Sequence, residues 1–235
     1  MRLDGLLTAL NIASRAQARR LIAQGRVTVS GRVVLDPSVH VDGAEVFVDG
    51  KKLDTRLERA LMMNKPAGVL TAADDKKQKT VMDLLDPLYA SLGCMPVGRL
   101  DKDTTGLLLF TTDGVLAHRL IAPRHEVLKV YVAQVDGPLS QAACDAFARG
   151  IRFKDFDALP ARLEILEPSV ARVTVGEGKF HQVKRMLHAV GYETLSLRRV
   201  SFGPLSLDKA LAPGEARELK KEELAALYGA AGMEA

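Results

Sequence analysis

The sequence predicts an α+β chain in two parts: a small N-terminal domain over residues 1–56, and a larger domain over residues 57–235 built on a mixed, mainly antiparallel sheet with flanking helices. Runs with strand character are separated now by tight turns and now by helical stretches. Without a steady strand-helix alternation, a doubly wound sheet is the poorer fit. The apolar periodicity also breaks over Lys51 to Arg59, a polar and charged stretch that reads as the linker.

Taken in order, Leu3, Leu6, Leu7 and Leu10 form one stripe of a short helix. Ser14-Arg15-Ala16-Gln17 has the spacing of a capping box and opens a second helix, which Gly25 stops. Arg15 and Arg19, four apart, fall on its outer face beside Arg20, so three guanidinium groups are expected to converge on one surface. Val27-Thr28-Val29 and Arg32-Val33-Val34 flank Ser30-Gly31 as a hairpin, and Val46-Phe47-Val48 runs into an Asp49-Gly50 turn. The larger domain begins with a strand ending at Lys65-Pro66, since proline removes an amide donor. A charged loop over 74–79 and a helical stretch over 81–92 follow. Beyond Phe110, Asp113 is placed to cap a helix through Val115 and Ile121. A strand over 127–135 contains Tyr131, and a helix over 140–149 closes at Gly150. Short strands follow over 151–153, 161–166 and 171–175. A helix runs from about His181 to Ala189, a strand over 194–200 is basic at Arg198 and Arg199, and a terminal helix covers 220–228.

Composition narrows the class. No apolar run approaches the length of a membrane-spanning helix, and Met1-Arg2-Leu3-Asp4-Gly5 lacks the apolar core of a signal peptide, so the expectation is a cytoplasmic chain with no membrane partner. Cys94 and Cys144 lie far apart without ligand spacing, which argues against a disulfide scaffold or zinc site and fits buried or half-buried thiols. A net charge of +4 and a pI near 9.1 suit a nucleic-acid partner without requiring one.

The chain's most distinctive stretch is Gly98-Arg99-Leu100-Asp101-Lys102-Asp103-Thr104-Thr105-Gly106, which runs into Leu107-Leu108-Leu109-Phe110 and ends at Asp113-Gly114. A loop with an arginine and two carboxylates thus sits at the mouth of an apolar strand. Such a loop can be a plain turn closed by an aspartate, or a device that holds a side chain still in a cleft. Together with Asn64-Lys65-Pro66-Ala67-Gly68, Lys129-Val130-Tyr131 and Gly178-Lys179-Phe180-His181-Gln182-Val183-Lys184-Arg185-Met186, it resembles the RsuA family of RNA pseudouridine synthases over nearly the whole chain. The stretch from Ser14 to Val29 resembles the small RNA-binding module named after the fourth small-subunit ribosomal protein, S4.

The resemblance implies a fold and a chemistry. Uracil is detached from its ribose, turned and rejoined through carbon, with no oxidation and no incoming group. No cofactor is therefore expected, and the sequence has neither a phosphate-gripping Walker loop nor paired zinc-ligand spacing. Asp101 is the implied catalytic carboxylate, acting by covalent attack or by stabilising positive charge at the anomeric carbon. Asp103, two positions on, is expected to project away from it in a structural role. A basic residue of the late motif should pair with the aspartate. Many members carry arginine there, whereas the alignment puts Lys184 at that place with Arg185 next, which leaves the choice between them open. Tyr131 corresponds to the active-site tyrosine, stacking on uracil and serving the final proton removal. Val183 presses on the base's other side, and Arg99 fills the space of the flipped nucleotide or grips a phosphate. Lys65 braces the loop. Arg15, Arg19, Arg20 and Arg26 are expected to hold phosphates through the planar guanidinium fork, and Arg124, His125 and Lys129 form a further basic group able to touch RNA.

The implied partner is ribosomal RNA or a ribosome assembly intermediate, met by a monomer. Small-subunit (16S) RNA is the leading substrate and large-subunit (23S) RNA the runner-up. A catalytically silent RNA-binding assembly factor is the reading from another class, which the joint presence of Asp101, Tyr131 and Lys184 disfavours.

Overall fold

The computed structural model describes residues 1–234. It divides into two compact units, Met1–Arg59 together with Leu85–Cys94, and the remainder of the chain.

The first unit contains α1 (Leu3–Ala9), α2 (Arg15–Ala23) and a four-stranded antiparallel sheet of order β2-β1-β3-β4, with β1 Val27–Val29, β2 Arg32–Val33, β3 Val46–Val48 and β4 Lys51–Lys52. The capping box is formed: Ser14 accepts from the Gln17 amide while Gln17 returns a bond to the Ser14 amide. Ser30 and Gly31, and again Asp49 and Gly50, all have positive φ, the conformation that two-residue hairpin turns require. Leu3, Leu7, Ile22, Val27 and Val46 are fully buried and form the core.

Two expectations change here. Lys51–Lys52 is a paired strand and Arg59 is buried beside Asp54, so the stretch read as a linker is anchored at both ends, while 53–59 carries no helix or strand. The helical stretch over 81–92 is broken into a single turn at Met82–Leu84 and a short α3 (Pro87–Ser91). Proline cannot continue a helix but is preorganised to start one, and Asp86 caps it by accepting from the Leu88 amide. Leu88 and Leu92 then pack on the first unit's core.

The second unit is organised by a nine-stranded sheet with the path β11-β12-β8-β13-β7-β5-β15. In chain order its elements are β5 (Ala60–Lys65), β6 (Met95–Val97), β7 (Thr105–Thr111), α4 (Gly114–Ile121), β8 (Lys129–Val135), α5 (Gln141–Arg149), β9 (Ile151–Arg152), β10 (Asp157–Ala158), β11 (Arg162–Glu167) and β12 (Val170–Val175). They continue with α6 (Gln182–Ala189), β13 (Thr194–Phe202), β14 (Leu205–Ser206), β15 (Ala216–Glu218) and α7 (Lys221–Ala230). β14 pairs with β13 and β6 with β7, while β9 and β10 form a separate hairpin. The pairing of β13 with β7 is parallel and the others are antiparallel, so the sheet is mixed and mainly antiparallel. β5 is buried along its whole length and β7 along all but its first residue, so their apolar stretches, Ala60 to Met63 and Leu107 to Phe110, run without alternation. One core lies under α5 and α6, with Phe147, Met186 and Leu187 against Ala133, Val173 and Leu197; a second gathers Leu116, Leu120, Phe202 and Leu227.

The parallel register positions the site. Arg199 of β13 lies opposite Gly106 of β7 on one side and Tyr131 of β8 on the other, making one row across three strands. Gly106 has φ +99, and a Cβ there would come within 2.2 Å of the Arg199 carbonyl oxygen. Glycine is therefore required where the signature loop enters the sheet.

Candidate active site

The loop from Gly98 to Thr104 is held by its backbone. The Lys65 ammonium, fully buried at the end of β5, donates to the carbonyls of Pro66, Asp101, Lys102 and Thr104 at 3.0–3.3 Å. Burial pulls its pKa down to about 8, against the opposing pull of Asp103 and Asp101. Thr71 adds a reciprocal pair, its hydroxyl donating to the Leu100 carbonyl and accepting from the Leu100 amide. The Thr104 amide closes a turn onto the Asp101 carbonyl. The bracing role expected of Lys65 is what its bonds describe; Thr71 carried no signal in the sequence.

On this frame the Asp101 carboxylate lies 3.2 Å from Lys184 Nζ and 3.4 Å from His181 Nε2. Lys184 also donates to Asp103 at 2.5 Å. Asp103 therefore does not project away from Asp101: the loop turns, and both carboxylates share one ammonium. Burial opposes the charge on Lys184, but its bonds to Asp103 and Asp101 outweigh that and raise its pKa. The Lys184 hydrogen bond holds the Asp103 carboxyl below its ordinary value. Arg185 turns elsewhere, forming a two-pronged pair with Asp155 at 2.6 and 2.9 Å and lying 4.6 Å from the ring centres of both Phe153 and Phe156. Of the two basic residues left open by the motif, Lys184 is the one beside Asp101.

Arg99, Asp101, Tyr131 and Val183 line one small cavity of about 70 Å³. Val183, on the first turn of α6, is buried there, while Tyr131 is partly buried on β8. A larger cleft of about 510 Å³ shares Arg99, Asp101, Tyr131 and His181 with it, a size suited to a bound ligand. Arg99 is exposed, and among the described residues its guanidinium has no hydrogen bond or ion pair. His181 is the N-cap of α6 rather than its first residue, with φ +51, and its ring stacks on Phe180 at 3.8 Å between centres. Phe180, part of the late motif, is 75% exposed at the cleft. His188, seven residues on, pairs with Glu193.

The basic residues of the first unit are arranged differently from the expectation. Arg20 lies 140° around α2 from Arg15 at about 100° per residue, so these guanidiniums diverge. Arg15 and Arg19 instead meet Arg2 around Asp4, a fully buried carboxylate, with N–O distances of 3.8, 3.2 and 3.1 Å respectively. The Arg2 hydrogen bond, reinforced by Arg19 and resisted by burial, holds the Asp4 carboxyl below its ordinary value. Arg20 lines a separate shallow groove with Gln17, Gln24 and Arg26, and Arg26 is paired with Asp49 at 2.5 Å. Among the described residues, no helix is long and apolar enough to cross a membrane.

Comparison with known proteins decides the family. A family model described as RNA pseudouridylate synthase matches residues 59–189, and an S4 domain model matches residues 1–47. The chain belongs to the RNA pseudouridylate synthase family. Within that family, the chain is 44% identical over 231 residues to the uncharacterized RNA pseudouridine synthase YtzG of Bacillus subtilis (strain 168), covering 95% of this chain and 97% of the relative. It is 40% identical over 232 residues to ribosomal small subunit pseudouridine synthase A of Escherichia coli (strain K12), covering 97% of this chain and 100% of the relative. A solved pseudouridylate synthase superposes with a TM-score of 0.68 at 34% identity, covering 97% of this chain and 99% of that one. This pseudouridine synthase is thus an RNA isomerase with an N-terminal S4 domain, and its α+β fold is that of its relatives.

Proposed function

We propose that this pseudouridine synthase converts a uridine of small-subunit (16S) ribosomal RNA to pseudouridine, with Asp101 as the reacting carboxylate. The observation that carries the reading is the convergence of Asp101, Tyr131 and Val183 on one cavity, with Asp101 tied to Lys184. It is joined by 40% identity, end to end, to a protein named as a small-subunit enzyme.

In this reading the flipped uracil lies between the Tyr131 ring and Val183. Asp101 assists departure of the base from the anomeric carbon, either as a nucleophile or by stabilising the positive charge that develops. Lys184, 3.2 Å away, keeps the carboxylate oriented. After the ring turns and the carbon-carbon bond forms, a proton leaves the ring carbon with help from the Tyr131 hydroxyl. Arg99, exposed and without a hydrogen bond or ion pair among the described residues, suits the space or the phosphate left by the extruded nucleotide. Arg185, paired with Asp155 rather than with the reacting carboxylate, is a substrate contact in this reading. Residues 1–56 act as the RNA-binding domain and 57–235 as the catalytic domain. The S4 arginines Arg15, Arg19, Arg20 and Arg26 add phosphate contacts. The protein works as a cytoplasmic monomer on ribosomal RNA or an assembly intermediate.

The test is to incubate the protein with unmodified ribosomal RNA, free and as ribonucleoprotein, and to map pseudouridine. A new pseudouridine in 16S RNA is expected. Product in large-subunit RNA alone moves the substrate to 23S RNA, and tight binding with no product from any substrate replaces the reading with a silent assembly factor.

A further inference from the structure

Two cations in the active-site cleft take no part in the chemistry above. Lys129 and Arg199 are 5% and 2% exposed, yet both line the 510 Å³ cleft beside Tyr131. Arg199 donates through Nε to the Leu107 carbonyl, while its Nη2 is buried without a hydrogen-bond partner among the described residues. The Lys129 ammonium has no hydrogen bond or ion pair among the described residues and lies 5.4 Å from the ring centre of Phe202; the Arg199 guanidinium lies 5.0 Å from the same centre. Glu177 is near enough to act on Lys129 through space, but its Oε1 accepts from the Leu159 amide and Gln182 Nε2. Burial, then Arg199, pulls the Lys129 pKa down to about 8, so it stays mostly charged at neutral pH.

Two buried cations sharing one aromatic ring and no carboxylate bond are an unbalanced arrangement. Cation-π contacts offset only part of the desolvation of such groups. A neutral carbonyl of uracil would accept a hydrogen bond but leave the charge unbalanced; an anion balances it. The register says which anion. Lys129 pairs with Phe202 and Tyr131 with Arg199, so all four belong to the same patch of sheet lining the cleft. Along β8, Lys129 and Tyr131 are two residues and about 7 Å apart, a separation one nucleotide spans from base to phosphate.

We infer that Lys129 and Arg199 form a buried subsite for a backbone phosphate adjoining the uridine that occupies the cleft. The inference rests on the proposed placement of uracil against Tyr131. The phosphodiester supplies the missing negative charge, and Arg199 Nη2 and Lys129 Nζ supply the donors, charge-assisted and dry. Base recognition and backbone recognition are thereby built on neighbouring rows of one sheet.

The test measures binding of uridine, uridine 5′-monophosphate, uridine 3′-monophosphate and inorganic phosphate to the full-length protein, alongside Lys129→Met and Lys129→Arg. At least one monophosphate is expected to bind about 10-fold tighter than uridine. Lys129→Met should lose that advantage, and Lys129→Arg should keep part of it. Equal affinity for uridine and both monophosphates in the wild type overturns the subsite, as does an undiminished advantage in Lys129→Met. Lys129-dependent binding of inorganic phosphate with no gain for either nucleotide also overturns it, because the site then serves a free anion. Thermal melts of the variants separate misfolding from lost binding, and a binding defect that Lys129→Arg fails to relieve in a folded protein counts against a charge-based site. Pseudouridine formation measured on the same wild-type sample tells the two readings apart: activity without a phosphate advantage sinks the subsite alone.

Discussion

The first unit surrounds one carboxylate with three cations, and the second surrounds one cation with two carboxylates. Asp4 is fully buried while Arg2, Arg15 and Arg19 keep between 43% and 65% of their side-chain surface. Lys184 is 21% exposed, between Asp101 at 25% and Asp103 at 74%. The minority charge organises each cluster and the majority charge is left for use. Around Asp4 the surplus is positive and faces solvent, as the proposed phosphate contacts need. Around Lys184 the surplus is negative and one carboxylate lines the cavity, as the proposed role of Asp101 needs. Opposite stoichiometries of the same ion pairs thus suit binding and chemistry.

Four changes break or sharpen this contrast. Asp101→Asn removes the charge from the cavity and should cut pseudouridine formation by at least about 10³-fold, with RNA affinity and melting temperature near wild type. An active variant would remove Asp101 from the mechanism. Lys184→Met takes from Asp101 and Asp103 the ammonium they share; a drop of roughly 10²-fold in kcat is expected, partly restored in Lys184→Arg. A drop confined to KM would instead mark Lys184 as a binding group.

Asp4→Asn attacks the other cluster. It should cost about 1.5–3 kcal/mol of stability in denaturant titrations, the worth of hydrogen bonds to a charged group, since the arginines released can hydrate. RNA binding should weaken as they lose their order, while kcat holds. Asp4 also sets an acid limit. Its folded pKa lies below the ordinary 3.8, so its contribution is complete above that pH and is lost as pH falls through the folded value. Acid titration of wild type and variant should show their stability difference closing below pH 3.8; a constant difference contradicts the ion-pair account. The smallest effect is expected from Arg15→Ala with Arg19→Ala, a several-fold rise in KM and a salt dependence shallower by up to about 1.5 in log-log slope. Asp4→Asn, which keeps both arginines, should retain a slope nearer to wild type. Identical slopes in all three proteins would deny these arginines their phosphates.

Local chemistry made much of this legible. The capping box at Ser14 and Gln17, the two hairpin turns, the Asp113 cap and the long strands rest on signals within a few residues, and each formed. Short edge elements such as Leu205–Ser206 and Ala216–Glu218 carry too few residues for periodicity and exist because a neighbouring strand offers a ladder. At the site, motif order brought Asp101, Tyr131 and Val183 to one cavity, because the motifs sit on elements the sheet brings together. Partners distant in sequence were less visible. Asp4 looks like an ordinary first-turn acid until α2 packs its arginines against it. The expectation that Asp103 projects away has the parity reversed: residues two apart face the same side of an extended stretch, and Asp103 meets Lys184 together with Asp101. Lys129 carried a readable hint: on a strand it shares a face with Tyr131, and that face is buried.

The short helix Pro87–Ser91 bears on how the protein is handled. Its Leu88, and Leu92 at its C-cap, belong to the core of the first unit although the chain on either side of Leu85–Cys94 belongs to the second. A fragment begun at residue 57 would keep that segment and lose what covers it, presenting fresh apolar surface to water. Such a fragment is expected to be sticky and poorly behaved for reasons unrelated to RNA, and replacing Leu88 and Leu92 with polar residues would be the natural first repair.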